Sequence, residues 1–495
     1  MALVLGFALF ALACGSGGSP ANLIGPGQGT TYAFIGDAPP PGSSILKFEI
    51  TLSRAELCPT VTPAGECQGT PVTLVSSPVD IELNQLQLAS AFLSLTNVSA
   101  GTYGGVRLTF SNPQLELLLA DGTVQRLEGA DLPLSPTEVT TAFANALNVA
   151  TGGKASFLVD IKVRDSIQTS QGAVTGISPV VSLVQLPAAG TQPVEELDDT
   201  TGQVGSLSKS CPAGSFTLTD SMTGLAIAGV RFDSTTGFDE GLTCDTLADN
   251  EVVEADIELR SPTQQTGQFF AKKIDLLSES GDQGLEGVIF QVNSASQFVL
   301  LVNQEQNLSS LTAGNFVTLN ADPTKVVFRM ESTDLPVDSS SFASGADLFA
   351  GQTVDVEITP DSLVTAVAGC ANVSDVCTAS ALTLRLKKSI LTARVAGVID
   401  PNITLDTLPS LFGSFSTSNL RPLSAGCQSC ALDSISVVTS DLTEFEDAAN
   451  GLSSLQVGDT VTVRGLLIKN GFAGPGPVPV GSPQLVAAKV RRLTP

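Results

Sequence analysis

The stretch Leu46-Lys47-Phe48-Glu49-Ile50-Thr51-Leu52-Ser53 decides the fold class. Leu46, Phe48, Ile50 and Leu52 take every second position, and Lys47, Glu49, Thr51 and Ser53 fill the gaps. Period two marks a strand with one face in a core and the other in water. The pattern returns at Val106, Leu108 and Phe110 around Arg107 and Thr109. It returns again at Phe157, Val159, Ile161 and Val163, alternating with Leu158, Asp160, Lys162 and Arg164. Turn residues separate these runs: Pro39-Pro40-Pro41-Gly42, Ala100-Gly101, Asp121-Gly122 and Gly152-Gly153. The chain therefore reads as all-β, with a β-sandwich over residues 30–186. Only residues 136–147 offer a helix-like spacing.

Upstream, an apolar run from Leu3 to Ala13 ends at Cys14 and is followed by Gly15-Ser16-Gly17-Gly18-Ser19-Pro20. About a dozen apolar residues are too few to cross a hydrocarbon core of roughly 30 Å. The pattern is that of a bacterial lipoprotein signal, although no Lys or Arg precedes the run. On this reading residues 1–13 are a cleaved signal peptide, Cys14 carries lipid such as palmitate, and residues 14–29 are a tether. Gly15 after the cysteine fits an outer-membrane or cell-surface address.

Downstream, residues 187–205 contain Glu195-Glu196-Leu197-Asp198-Asp199 and read as an acidic, solvated linker. The remainder repeats itself. Ala350-Gly-Gln-Thr-Val-Asp-Val-Glu-Ile358 matches Val457-Gly-Asp-Thr-Val-Thr-Val-Arg-Gly465, and residues 249–259 hold a degraded copy. Each unit ends in a basic strand, over residues 268–277, 382–390 and 484–493. Three small β-barrel-like domains follow from this, over residues 206–280, 281–391 and 392–495, since units of this size must close their sheet edges.

Composition narrows the function. A formal net charge of −25 makes nucleic acid a poor partner and disfavours anionic lipid headgroups, leaving Cys14 as the expected membrane contact. The chain has no His, so Ser-His-Asp and Cys-His catalysis and His-ligated zinc are excluded. No Trp and only 2 Tyr leave little to stack on a sugar. Of 9 Cys, one is assigned to lipid, and the rest fall into close pairs: Cys58 with Cys67, Cys211 with Cys244, Cys370 with Cys377, and Cys427 with Cys430. Even parity and local spacing predict disulfides in an oxidising compartment. The CxxC at Cys427 and Cys430 lacks a strand-to-helix context, so a structural bridge or free thiols is preferred to a redox centre.

Two resemblances follow from the residues. Ile35-Gly36-Asp37-Ala38-Pro39, with Val98-Ser-Ala-Gly-Thr-Tyr-Gly-Gly-Val-Arg-Leu-Thr-Phe110, resembles domain of unknown function 4382. Here Gly36 stands for the usual Thr and Ser99 for the usual Pro. The three C-terminal units resemble domain of unknown function 5666, through Val-Gly-x-x-Val-x-Val-x-Gly. Both families occur in bacterial lipoproteins and bring no catalytic residues to carry over, so the resemblance implies an exported β-rich surface protein.

Acidic turns recur in each unit. Asp233, Asp239, Glu240, Asp441 and Glu444 are weak calcium candidates, and solvated hairpin turns are the preferred reading. Asp37 reads as a turn cap, and Tyr103 as a packed turn residue with its hydroxyl on backbone. No catalytic residue, resident metal or cofactor is assigned. The expected function is a non-enzymatic binding or scaffolding module of the cell envelope, with an envelope protein or polysaccharide as partner. The alternatives are a secreted hydrolase working with carboxylates alone or a calcium-stabilised adhesin.

Overall fold

The computed structural model describes residues 27–37, 45–86, 90–118, 124–170, 173–186, 195–221, 223–239, 241–260, 268–278, 282–308, 310–331, 335–337, 339–366, 369–399, 402–406, 434–446, 451–469 and 484–493. Cys14, Glu240, Cys427 and Cys430 lie outside the described residues. The chain is all-β, and no helix is long and apolar enough to cross a membrane among the described residues.

The N-terminal part is a sandwich of two sheets. One runs Val181–Gln185, Lys154–Ile161, Gln28–Asp37, Ser90–Ser99, with its central pair parallel. The other runs Glu138–Val149, Gly101–Leu118, Ile45–Cys58, Val72–Val75. The alternating residues meet between them: Phe48, Ile50, Leu52, Val106, Leu108, Phe110, Phe157, Val159 and Ile161 form one core. Tyr103 is buried, and its hydroxyl donates to the Ser99 carbonyl at 2.8 Å, as the sequence predicts.

Two expectations need correction here. Residues 136–147 are not helical; Glu138–Val149 is a strand paired with Gly101–Leu118. Phe143 and Leu147 both point inward, and a spacing of four puts residues on one face of a strand as well as of a helix. The outer face of the first sheet is not wet either. Phe34 and Ile35 are neighbours and both 0% exposed, because Phe34 leaves the sandwich core and joins a second apolar cluster with the next module.

That module is a closed barrel of Glu195–Ser210, Ala213–Asp220, Ala226–Phe232, Val252–Leu259 and Phe269–Ser278. Its first strand pairs with the second and fourth, and its fifth with the fourth and, in parallel, the third. This is the Greek-key connectivity of an OB-fold. The acidic stretch Glu195 to Asp199 is thus not a linker. It is the start of the first strand, with Leu197 in the barrel core, and the strand's pairing with Val252–Leu259 replaces solvent.

The topology occurs twice more. The second barrel uses Gln283–Ser294, Gln297–Gln306, Phe316–Asn320, Thr353–Ile358 and Thr378–Ile399. The third uses the far end of Thr378–Ile399, then Asn402–Asp406, Ser434–Val438, Thr460–Ile468 and Gln484–Leu493. One continuous strand of 22 residues therefore closes one barrel and opens the next.

The repeat is also visible in single hydrogen bonds at the start of the fourth strand. Asn250, Gly351 and Gly458 occupy equivalent places with φ of +73°, +102° and +99°. Their N–H groups donate to the carbonyls of Val204, Ile289 and Val395, whose N–H groups donate back to Glu251, Gln352 and Asp459. Side-chain oxygens of those last three residues accept from Ala248, Phe349 and Gln456, at 2.8, 2.9 and 2.8 Å. Asn tolerates the left-handed region better than other residues with a Cβ, which is how the degraded copy keeps the turn without glycine. Gly351→Ala and Gly458→Ala should each cost about 1–2 kcal/mol, while Asn250→Gly should be near neutral. Denaturant melts of the three variants test this, and equal losses at all three positions would refute the equivalence.

Candidate functional site: a buried charge network between the barrels

Strand alternation places apolar residues of each barrel inward and their neighbours outward. On the fourth and fifth strands the outward neighbours are charged, and in all three barrels this face turns toward the other barrels. The first barrel presents Asp198, Asp199, Glu254, Asp256, Lys273 and Asp275; the second presents Glu286, Glu331, Asp355, Arg385, Lys387 and Lys388; the third presents Arg464 and Lys489.

The pairs are close and dry. Arg385 meets Asp275 at 2.7 Å and Glu254 at 3.6 Å. Lys387 lies 2.5 Å from Glu254 and 3.1 Å from Glu286. Lys388 lies 2.6 Å from Glu331, whose side chain is 0% exposed, and 3.6 Å from Asp199. Arg464 bridges Asp198 and Asp199, and Lys489 reaches Asp198 at 3.3 Å. Lys273 pairs with Asp275 on the same strand.

Burial disfavours every charge here, and the local count of cations decides which groups keep theirs. Burial opposes ionisation of Asp198, but Lys489, Arg464 and Lys388 outweigh it and hold its carboxyl down at about 2. Glu331 is likewise held at about 2 against burial, chiefly by Lys388 and Lys273. Glu254 is lowered, with Lys387 overcoming its burial. Asp256 and Asp275 go the other way, pushed up to about 6 by burial, and Asp355 to about 7.

Carboxylate oxygens of Asp199, Glu254 and Glu331 lie within 4.8 Å of one another, a spacing that could hold a cation. That role is filled from within: the Lys388 ammonium sits against Asp199 and Glu331, Lys387 against Glu254, and Arg464 against Asp199. The arrangement fastens barrels together.

None of the calcium candidates enters this trio. Asp233 sits where the third strand of the first barrel breaks before Gly237–Asp239. Its carboxylate accepts from the Thr235 N–H and hydroxyl, both at 2.7 Å, and these bonds hold its pKa down. The second barrel has the same break, with Asp322 accepting from Thr324. In the third, Ser440 accepts from the Leu442 N–H. Thr236 and Thr443 pin the break by donating to Ala271 and Ala487, each at 2.8 Å. Asp441 and Glu444 are exposed nearby, and Asp239 lies in the short strand after the break. The acidic turns are thus places where a strand is interrupted. Of the cysteines, Cys58–Cys67, Cys211–Cys244 and Cys370–Cys377 are bonded.

Sequence reasoning missed the network itself. The basic closing strands were its visible half; their partners lie up to 291 residues away, as for Lys489 and Asp198.

Comparison with known families agrees with this division. Residues 28–176 match Domain of unknown function (DUF4382), and residues 423–472 match Domain of unknown function (DUF5666). The first match covers most of the sandwich, and the second covers part of the third barrel. The kinship of the other two barrels rests on the shared strand order and turn hydrogen bonds. No curated protein matches the chain.

Two outcomes are expected. Asp256, Asp275 and Asp355 bind protons more tightly folded than unfolded, so stability should rise as pH falls from about 7 toward about 4. Asp198, Glu254 and Glu331 bind them less tightly, so stability should fall from about pH 4 toward about 2. Melting temperature against pH should peak near pH 4; a continuous rise to pH 8 would contradict it. Lys388→Met strands the buried Glu331 carboxylate, while Asp199 keeps Arg464, and should cost about 3–5 kcal/mol, with part recovered in Lys388→Met/Glu331→Leu. Denaturant titration of both variants measures the difference.

Proposed function

We propose that the protein is a lipid-anchored, extracytoplasmic, non-enzymatic binding or scaffolding module of the bacterial envelope. The observation that carries this reading is Cys14, placed after an apolar run and before a Gly/Ser/Pro tether. Three bonded cysteine pairs support an oxidising compartment. The placement of charge supports a non-enzymatic role, because the closest carboxylates are spent on lysine and arginine between barrels. The hydrolase and adhesin alternatives draw less support, as both need carboxylates free to meet a substrate or an ion. The partner is an envelope protein or polysaccharide; the net charge of −25 argues against a polyanion.

Metabolic labelling with a palmitate analogue tests the anchor. Wild type should take label and partition with membranes, and Cys14→Ser should lose both. Label that persists in Cys14→Ser would remove the anchor from the proposal.

A further inference from the structure

The modules are joined by two kinds of contact. Tyr32, Phe34 and Phe92 of the sandwich share an apolar cluster with the core of the first barrel. Phe269 stacks edge-on against Tyr32 at 5.9 Å and Phe92 at 5.4 Å. The second and third barrels share the strand Thr378–Ile399, and Leu466, Ile468 and Val486 of the third lie in the core of the second. Gln352, 0% exposed, adds a hydrogen bond to the Leu467 carbonyl at 3.0 Å.

Between these two pairs the contact changes character. Among the described residues no apolar cluster joins residues 27–278 to residues 282–493. What crosses is charge: Arg385, Lys387, Lys388, Arg464 and Lys489 on one side meet Asp198, Asp199, Glu254 and Asp275 on the other. A further contact is polar, with Gly314 so close to the Glu116 carboxylate that a Cβ would collide with it.

We propose that the molecule is two rigid bodies, residues 27–278 and 282–493, held by an ionic clasp that acid opens before either body unfolds. Titratable groups face the clasp from every strand around it. Asp198, Asp199, Glu254, Asp256 and Asp275 come from the first body, with Lys272 and Lys273 beside them. Glu286, Glu331 and Asp355 come from the second. Protonating the first body's carboxylates leaves Arg385, Arg464 and Lys489 buried without the counter-ions they meet, and leaves Lys387 and Lys388 with only Glu286 and Glu331 of their own body, a state that burial makes costly. Protons moving to carboxylates are the whole reaction, so opening is reversible. Within each body apolar area holds the modules together, and that force is indifferent to pH over this range.

Small-angle scattering and far-UV circular dichroism of the full chain, from pH 7 to pH 2.5, test the clasp. The radius of gyration should increase below about pH 4 while the sheet signal stays constant. Arg385→Met and Asp198→Asn should each move the expansion to higher pH, by about one unit. High salt at neutral pH should leave the radius unchanged, since buried pairs are little screened. A chain that stays compact until its sheet signal is lost would overturn the proposal. So would variants that expand at the wild-type pH, or expansion in neutral salt.

Discussion

Lys388 extends from a strand that belongs to two barrels and lands between Glu331 of one and Asp199 of another. A charge that has left water must find its opposite within a few ångströms or give up its proton state. That requirement fixes where the barrels sit. Arg464 needs Asp198 and Asp199, and both lie at the start of the first barrel's opening strand. Apolar surface would tolerate sliding and rotation; fixed ion pairs tolerate little of either. The gain is therefore more in a defined arrangement than in net stability, because desolvation takes back much of the Coulomb attraction.

The three barrels are one design, altered copy by copy. Each keeps the left-handed residue before the fourth strand, the side-chain oxygen that caps it, and the interrupted third strand. What changes is the outward face of strands four and five. Equivalent fourth-strand positions hold Glu254 in the first barrel, Asp355 in the second and Thr462 in the third. Closing strands in the second and third are basic. The barrels share a strand order and differ in the charge they present, and that difference gives each its neighbour.

Much of the fold was legible because strand periodicity is local. Phe48, Ile50 and Leu52 announce an inward face within eight residues, and Gly351 and Gly458 announce the turn before a strand. Legibility failed where packing partners are remote. Phe34 lies in the unbroken apolar run Tyr32 to Ile35, which does not say which face is covered, and the cluster that covers it includes barrel residues such as Phe269, more than two hundred positions later. Glu195 to Asp199 has the composition of a linker, and the cations that make a strand of it affordable come from beyond residue 385. The acidic turns read as solvated hairpin turns in preference to ion sites, and the Asp233 carboxylate accepts from the Thr235 N–H and hydroxyl.

The strand Thr378–Ile399 carries one more implication. Its even-numbered residues Leu384 and Leu386 fill the second barrel, and its odd-numbered Leu391 and Val395 fill the third. The odd side also carries Arg385 and Lys387, so it passes from ion pairs to oil within four residues. The two barrels therefore lie on opposite sides of one pleat, and parity links them. A single residue inserted between Lys387 and Leu391 would exchange the two sides for everything downstream and turn the third barrel inside out. Insertion of two would preserve them. Between Lys387 and Leu391 the pleat therefore favours even steps over odd ones.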